Sequence, residues 1–206
     1  VGNVMKIDPD KIGPSIGINI SQTLETLATS YSIDTRKAGE QGTILKIMEE
    51  EISVVIGCPE RPNQGQLFAV LDNGRGIYLG PENNFTDEKS TLQVLVPSSA
   101  LNIVPSSSEL RAKPSNCKVQ LTSFIVYKSA ILFQDDRIDK DTIVASPVVS
   151  ANIGGGARTN LRDEPVTLTF QSTDQWISPT CVYWSYVKGG WDTDGCYLDT
   201  SVTDRK

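Results

Sequence analysis

The sequence predicts a mainly β protein, an antiparallel twisted β-sandwich preceded by a small helical part. With 206 residues, of which 38% are hydrophobic and 21% charged, the chain can bury a full core. After residue 58, short apolar or alternating runs are separated by turn-forming clusters, which is typical of antiparallel sandwiches. Before that residue, one stretch has apolar side chains at helical spacing. We therefore expect a helical part over residues 1–50 and a β-sandwich over residues 51–206.

The helical part depends on one amphipathic helix. Apolar side chains recur at helical spacing over residues 20–31, and Asn19 or Ser21 is able to cap the first amides. Residues 43–51 also fit a short helix, whereas the β-branched run over residues 52–56 predicts a strand. We expect a helix followed by a strand at this junction.

Further strands are expected over residues 67–71, 76–79, 92–96, 119–127, 143–149 and 166–170. The first two flank Asp72-Asn73-Gly74, a hairpin-turn sequence. Alternating apolar side chains in the third, fourth and last predict strands with one buried face. Pro147 interrupts the fifth and so places it at a sheet edge or a bulge. The Ser- and Pro-rich residues 98–114 and the glycine turn at residues 154–156 are expected to be loops.

The charge distribution argues against nucleic acid as a partner. The net charge is -6, and Lys and Arg are scattered without the basic stripe that phosphate binding requires. No apolar run approaches the roughly 20 residues of a membrane-spanning helix, and no leader sequence opens the chain. We expect this part of the protein to be soluble, with any leader or anchor outside it.

The residue inventory also disfavours most enzymes. The chain contains no histidine, and this removes the commonest general base, the usual zinc ligand and the usual partner of a catalytic Ser or Cys. The sequence Asp192-Thr193-Asp194-Gly195 resembles part of a calcium loop, but the other ligands are missing, so it is interpreted as a solvated turn. The sequence therefore predicts no catalytic residue, no metal site and no cofactor.

Cysteines and sequons indicate an oxidising, extracellular compartment. The four cysteines are too irregularly spaced for a Cys-x-x-Cys zinc site, and their even number suits disulfides. A bridge between Cys58 and Cys117 would close a loop of about 60 residues and stabilise the fold by about 4 kcal/mol. Asn19 and Asn84 begin sequons and are candidate glycosylation sites.

The most specific segment is residues 181–196. It contains two short predicted strands around a Gly-Gly turn, with Trp184 and Trp191 on the two arms and Cys181 and Cys196 at the outer ends. Two large aromatic side chains beside two cysteines suit a small disulfide-stapled core. We expect both indoles to be core residues, since exposed they would form a costly apolar patch.

The spacing Cys-x-x-Trp, Gly-Trp and Gly-Cys in this segment resembles the first half of the proteolysis-site (GPS) motif of adhesion G-protein-coupled receptors and polycystin-like proteins. Residues 124–129, 143–150 and 164–170 resemble, in order and spacing, three strands that precede that motif. The chain is thus similar to an extracellular autoproteolysis-inducing (GAIN) domain. The motif core corresponds to four residues of this chain, Trp184, Gly190, Trp191 and Gly195.

The resemblance implies an extracellular, membrane-proximal domain at the plasma membrane. Residues 1–50 then correspond to a partial helical subdomain, and residues 51–206 to a sandwich subdomain that ends in a partial GPS motif. Such a domain shields and presents a tethered agonist segment to the seven-helix domain and relays adhesion or force. The resemblance does not indicate which extracellular proteins it binds.

The chain also departs from the family pattern. In the family the motif continues to a Cys-x-Cys pair and a His-Leu-Ser/Thr cleavage site, and none of these occurs in the 206 residues. We therefore expect no self-cleavage by this chain. Without the later cysteines, Cys181 and Cys196 pair with each other, join another segment or stay reduced. The alternative functions are an adhesion or lectin-like binding module and the equivalent domain of a polycystin-like protein.

Overall fold

The computed structural model describes residues 14–35, 42–58, 64–71, 76–85, 90–101, 122–139, 142–153, 164–171 and 178–199. The helices are α1 (Pro14–Thr35) and α2 (Ser98–Leu101), and Glu82–Asn84 form a 3₁₀ turn. Among these residues the strands are β1 (Gly42–Met48), β2 (Ile52–Cys58), β3 (Gln66–Leu71), β4 (Ile77–Pro81), β5 (Ser90–Val96), β6 (Thr122–Tyr127), β7 (Val148–Ile153), β8 (Thr167–Phe170), β9 (Tyr183–Ser185) and β10 (Gly190–Asp192).

The strands form two four-stranded sheets and one separate two-stranded sheet. The first sheet has the order β1-β2-β6-β7, the second has the order β4-β3-β5-β8, and β9 pairs with β10. All these pairings are antiparallel. The predicted fold class, an antiparallel β fold preceded by a helix, is confirmed. Among the described residues, no helix is both long enough and apolar enough to cross a bilayer.

The two four-stranded sheets enclose an apolar core, here called the inner core. At its centre the rings of Phe68 from β3 and Phe124 from β6 stack, with centroids 4.8 Å apart and planes within 8° of parallel. Such a pair contributes roughly 0.5–1.5 kcal/mol beyond the apolar area it buries. The buried residues of the inner core are Val55, Phe68, Val70, Leu92, Val94, Val96, Ala100, Leu101, Phe124, Val126 and Ile153.

The opposite face of the first sheet is also covered. A second apolar cluster, here called the outer core, joins this face to α1 and to the segment that follows β6. Its buried residues are Ala28, Ile52, Ile56, Cys58, Ile125, Tyr127, Leu132 and Phe133. The molecule therefore has three layers, with the first sheet in the middle.

This layering corrects one expectation about β6. The alternating pattern predicted a strand with a single buried face, yet all six residues of β6 are buried. Successive side chains point to opposite faces, so Phe124 and Val126 enter the inner core, while Ile125 and Tyr127 enter the outer core. Polar residues Thr122 and Ser123 are buried as well, and Thr122 Oγ1 donates to Gln66 Oε1 at 2.7 Å.

The helix predicted over residues 43–51 is wrong. These residues belong to β1 and the turn after it, and β1 forms a ladder with β2 in which Lys46 faces Val55. A short apolar run fits either period, and here pairing with β2 satisfies the backbone groups. The long helix is confirmed, but it begins at Pro14, so neither Asn19 nor Ser21 is at its N-terminus. The division into residues 1–50 and 51–206 stays a prediction.

The later strands match the expectations in part. The β3–β4 hairpin is confirmed. Its predicted turn residues, residues 102–121 and the predicted glycine turn at 154–156 lie outside the described residues. The strand predicted at 143–149 begins only at Val148, after Pro147, and lies at the edge of the first sheet. β8 is an edge strand whose Leu168 is exposed, whereas Val166 and Phe170, on the same predicted face, are half-buried and pack on the inner core. Ser98–Leu101, expected in a loop, form α2.

Candidate functional site

The C-terminal hairpin, residues 181–196, forms a closed unit. β9 and β10 pair antiparallel, with Trp184 opposite Trp191. Cys181 and Cys196 are joined by a disulfide with their Cα atoms 5.6 Å apart, so of the alternatives left open by the sequence these two cysteines pair with each other. The turn between the strands uses Gly189, whose φ of +60° is a left-handed conformation that favours glycine.

The two tryptophans attach the hairpin to the outer core. Their rings meet edge to face with centroids 5.4 Å apart, and the ring of Phe133 lies 5.6 Å from Trp184 and 6.1 Å from Trp191. Trp191 Nε1 donates to the Phe133 carbonyl oxygen at 3.1 Å. Both indoles pack against the outer core and are only half-buried. Their side chains therefore fill the space between the hairpin and the first sheet.

A carboxylate fixes the same arm of the hairpin. Asp135, whose side chain is 4% exposed, accepts the Trp191 backbone N–H at 2.9 Å. Arg137 donates to this carboxylate from Nε and Nη2, each at 2.8 Å, and from its backbone N–H at 3.0 Å. These hydrogen bonds, led by the Arg137 side chain, hold the pKa of Asp135 well below its usual range. A Cβ built at Gly190 would collide with Arg137 Nη2 and Asp135 Oδ2, so the close approach requires glycine.

The turn of the hairpin is tied to α1. The Tyr186 hydroxyl donates to Glu25 Oε1 at 2.8 Å and lies 3.2 Å from Ser21 Oγ. Burial raises the pKa of Tyr186 above its ordinary value. Tyr127 lies in the same region, where burial and the nearby Glu25 charge raise its pKa. A helix near the start of the chain and a turn near its end thus share one polar cluster.

The outer face of the hairpin holds its own charge cluster. The Asp192 carboxylate accepts hydrogen bonds from the Tyr183 hydroxyl at 3.1 Å and from the Thr193 backbone N–H at 2.9 Å, and it pairs with Lys188 Nζ. The Lys188 hydrogen bond is the main cause that lowers the pKa of Asp192 to about 2. The Asp192 carboxylate thus bonds to groups of its own hairpin. The described residues contain no cluster of three or more acidic or cysteine ligands for a metal.

The other residues singled out from the sequence lie elsewhere. Cys58 ends β2, is buried and is disulfide-bonded, while Cys117 lies outside the described residues, so the bridge between them stays a prediction. Asn19 is exposed on α1, and Asn84 is exposed in the 3₁₀ turn. Gly195, with φ of +78°, shapes the turn before Cys196.

Sequence reasoning missed the residues that hold the hairpin from outside. None of Asp135, Glu25 and Tyr186 is singled out in the sequence. Asp135 and Trp191 are 56 positions apart, and Glu25 and Tyr186 are 161 apart. No local spacing signals such pairs.

Comparisons with known proteins show which family the chain is similar to. The family model described as GPS, GAIN subdomain B, matches residues 73–205. Latrophilin Cirl of Drosophila ananassae is 30% identical over 99 residues, and the match covers 47% of this chain. Latrophilin Cirl of Drosophila persimilis is 34% identical over 99 residues, covering 43% of this chain. In both cases the chain spans 6% of the relative's length.

The fold is also similar to part of a solved extracellular region. The full extracellular region of zebrafish Gpr126/Adgrg6 superposes with a TM-score of 0.71 over 96% of this chain and 25% of that chain, at 17% sequence identity. The family model covers more than half of the 206 residues. The chain therefore belongs to the GAIN subdomain B family that carries the GPS motif, and it is an extracellular domain of an adhesion G-protein-coupled receptor.

Proposed function

We propose that this chain is the membrane-proximal domain of its receptor, where it shields and presents a tethered agonist segment to the seven-helix part and relays adhesion or force. The observation that carries this proposal is the docking of the hairpin. The hairpin is closed by Cys181–Cys196 and wedged against the outer core by Trp184 and Trp191. Any segment that continues from Cys196 therefore starts from a fixed point on the sandwich.

Shielding is supported by the edge of the first sheet. Among the described residues, β7 pairs with β6 alone, which leaves its other edge available for one more strand. Val148 packs on the outer core and Val149 on the inner core, and both are half-buried. An extended apolar segment laid along β7 would extend both cores at once and would be hidden from the seven-helix part.

Force relay is supported by the contact between α1 and the hairpin. A load that displaces α1 reaches the hairpin through the Tyr186–Glu25 hydrogen bond without first breaking a strand ladder. The hairpin thus contacts α1 on one side and is joined on the other side to any chain that follows Cys196.

The test is signalling by the full-length receptor on cells. Trp191→Ala should raise basal G-protein signalling at equal surface expression, because a loosened hairpin exposes the segment that follows it. Val187→Ala is the matched control, since this side chain on the same hairpin is 98% exposed. Pulling with beads on an N-terminal epitope should activate the wild type, and Tyr186→Phe should weaken that response. Basal and force-induced signals that are the same in all variants would contradict the proposal.

A further inference from the structure

We propose that the hairpin is a releasable unit that detaches from the sandwich as an intact closed loop, with Asp135 as its latch, while both four-stranded sheets stay folded. This inference rests on the contacts of the hairpin and not on the proposed signalling role.

The first argument is the kind of attachment. Among the described residues, β9 and β10 form a sheet of their own and pair with no strand of the four-stranded sheets. The hairpin is joined to the rest by aromatic packing on Phe133 and by hydrogen bonds from Trp191 and Tyr186. Detachment therefore leaves the ladders of both large sheets complete, and local opening has a lower free energy than global unfolding.

The second argument is the closure of the hairpin itself. The Cys181–Cys196 disulfide, the Lys188–Asp192 ion pair and the hydrogen bond from Tyr183 to Asp192 all lie within the unit. None of these contacts breaks when the hairpin leaves the first sheet. The covalent loop also limits the conformational entropy that the detached hairpin gains.

The third argument identifies the latch. Asp135 is an almost fully buried carboxylate that binds the Trp191 backbone N–H, and Arg137 holds it in place from the same segment. Hydrogen bonds to a charged group are among the stronger ones in proteins. A side chain at Gly190 would collide with this carboxylate, and its absence lets Asp135 bind the backbone of β10 directly.

Mild acid is not the trigger of release. The pKa of Asp135 lies below its ordinary value because of Arg137, so the stability it contributes is present above the unfolded-state pKa of about 4 and is lost only as the pH falls below that value. The charged groups around the latch are Arg137 on its own segment and Asp192 on the hairpin, which Arg137 also attracts. Between about pH 5 and pH 7 the latch stays ionised and closed.

Native-state hydrogen exchange of the intact 206-residue chain tests the inference. In Asp135→Asn, the backbone and indole N–H groups of Trp191, which donate to the sandwich, should exchange about tenfold faster or more, as expected for loss of a hydrogen bond to a charged group. The amides of β6 should change less than about twofold. Asp136→Asn is the matched control, because the same charge is removed from an exposed neighbour. Equal acceleration of the Trp191 N–H groups and the β6 amides, or no acceleration in either, would overturn the proposal.

The wild type gives a second test that does not depend on a variant being secreted. In low urea, the two N–H groups of Trp191 that donate to the sandwich should exchange through a local opening with little dependence on denaturant, whereas β6 amides should show the full dependence of global unfolding. A common dependence for both would show that the hairpin does not open separately. Because neither test measures signalling, failure here is distinct from failure of the proposed function.

Discussion

Tyr186→Phe should weaken the attachment of the hairpin to α1 without disturbing either element. The substitution removes one hydroxyl and keeps the ring, so packing is unchanged. What is lost is the hydrogen bond to Glu25 Oε1 at 2.8 Å and the contact with Ser21 Oγ at 3.2 Å.

The magnitude follows from the partners. A hydrogen bond to a charged acceptor contributes about 1.5–3 kcal/mol, and the desolvation penalty appears when the remaining partner is left unpaired. Glu25 is half-buried and keeps other interactions, so the lower end of that range applies. We expect the stability of the docked hairpin to fall by about 1–2 kcal/mol.

Urea denaturation followed by tryptophan fluorescence measures this loss, because Trp184 and Trp191 report on the docked hairpin. Tyr183→Phe is the matched control: its hydroxyl bonds Asp192 on the exposed face of the same hairpin, where pairs contribute little. In a double-mutant cycle with Glu25→Gln, the Tyr186 and Glu25 changes should not add. Equal midpoints for the two tyrosine variants, or additive changes in the cycle, would refute the reasoning.

Four further outcomes are expected. Trp184→Ala should destabilise the docked hairpin by about 2–4 kcal/mol, slightly less than a fully buried tryptophan, and an unchanged fluorescence-detected melting temperature would contradict this. Peptide mapping without reductant should find Cys58 joined to Cys117, whereas two free thiols would exclude the bridge. The purified chain should keep its intact mass over days at neutral pH, because it has no histidine to act as a base, and a defined pair of fragments would be the opposite result. Enzymatic deglycosylation in heavy-oxygen water should label the exposed Asn19 and Asn84 of secreted protein, and an unlabelled asparagine is an unused sequon.

Local sequence patterns predicted those parts of the fold whose partners are close in sequence. The Asp72-Asn73-Gly74 turn predicted the β3–β4 hairpin, and the paired tryptophans predicted the C-terminal hairpin. The alternation over residues 92–96 matches the alternating burial of β5. In each case a few neighbouring residues, in one turn or one alternating run, are enough to predict the element.

The expectations that failed depended on distant partners. Residues 42–48 form a strand because they pair with β2. A short apolar run does not show by itself whether such a partner strand is present, so its pattern fits a helix as well. β6 is buried on both faces because α1 covers the side that a two-layer sandwich would leave in water. The latch at Asp135 was missed for the same reason, since its partner Trp191 is on another part of the chain.

The position of β6 also bears on the order in which the chain folds. β6 sits between β2 and β7, and Thr122 reaches the carbonyl of Gly57 across 65 residues, whereas the disulfide of the C-terminal hairpin spans a separation of 15. Closing a short loop takes far less time than assembling non-local strands. Oxidation of the two thiols, however, takes seconds to hours, and the hairpin follows β6 in the chain. The hairpin is therefore expected to dock after the central strand has paired, and the last surface to be buried during biosynthesis is the one that receives Trp184 and Trp191.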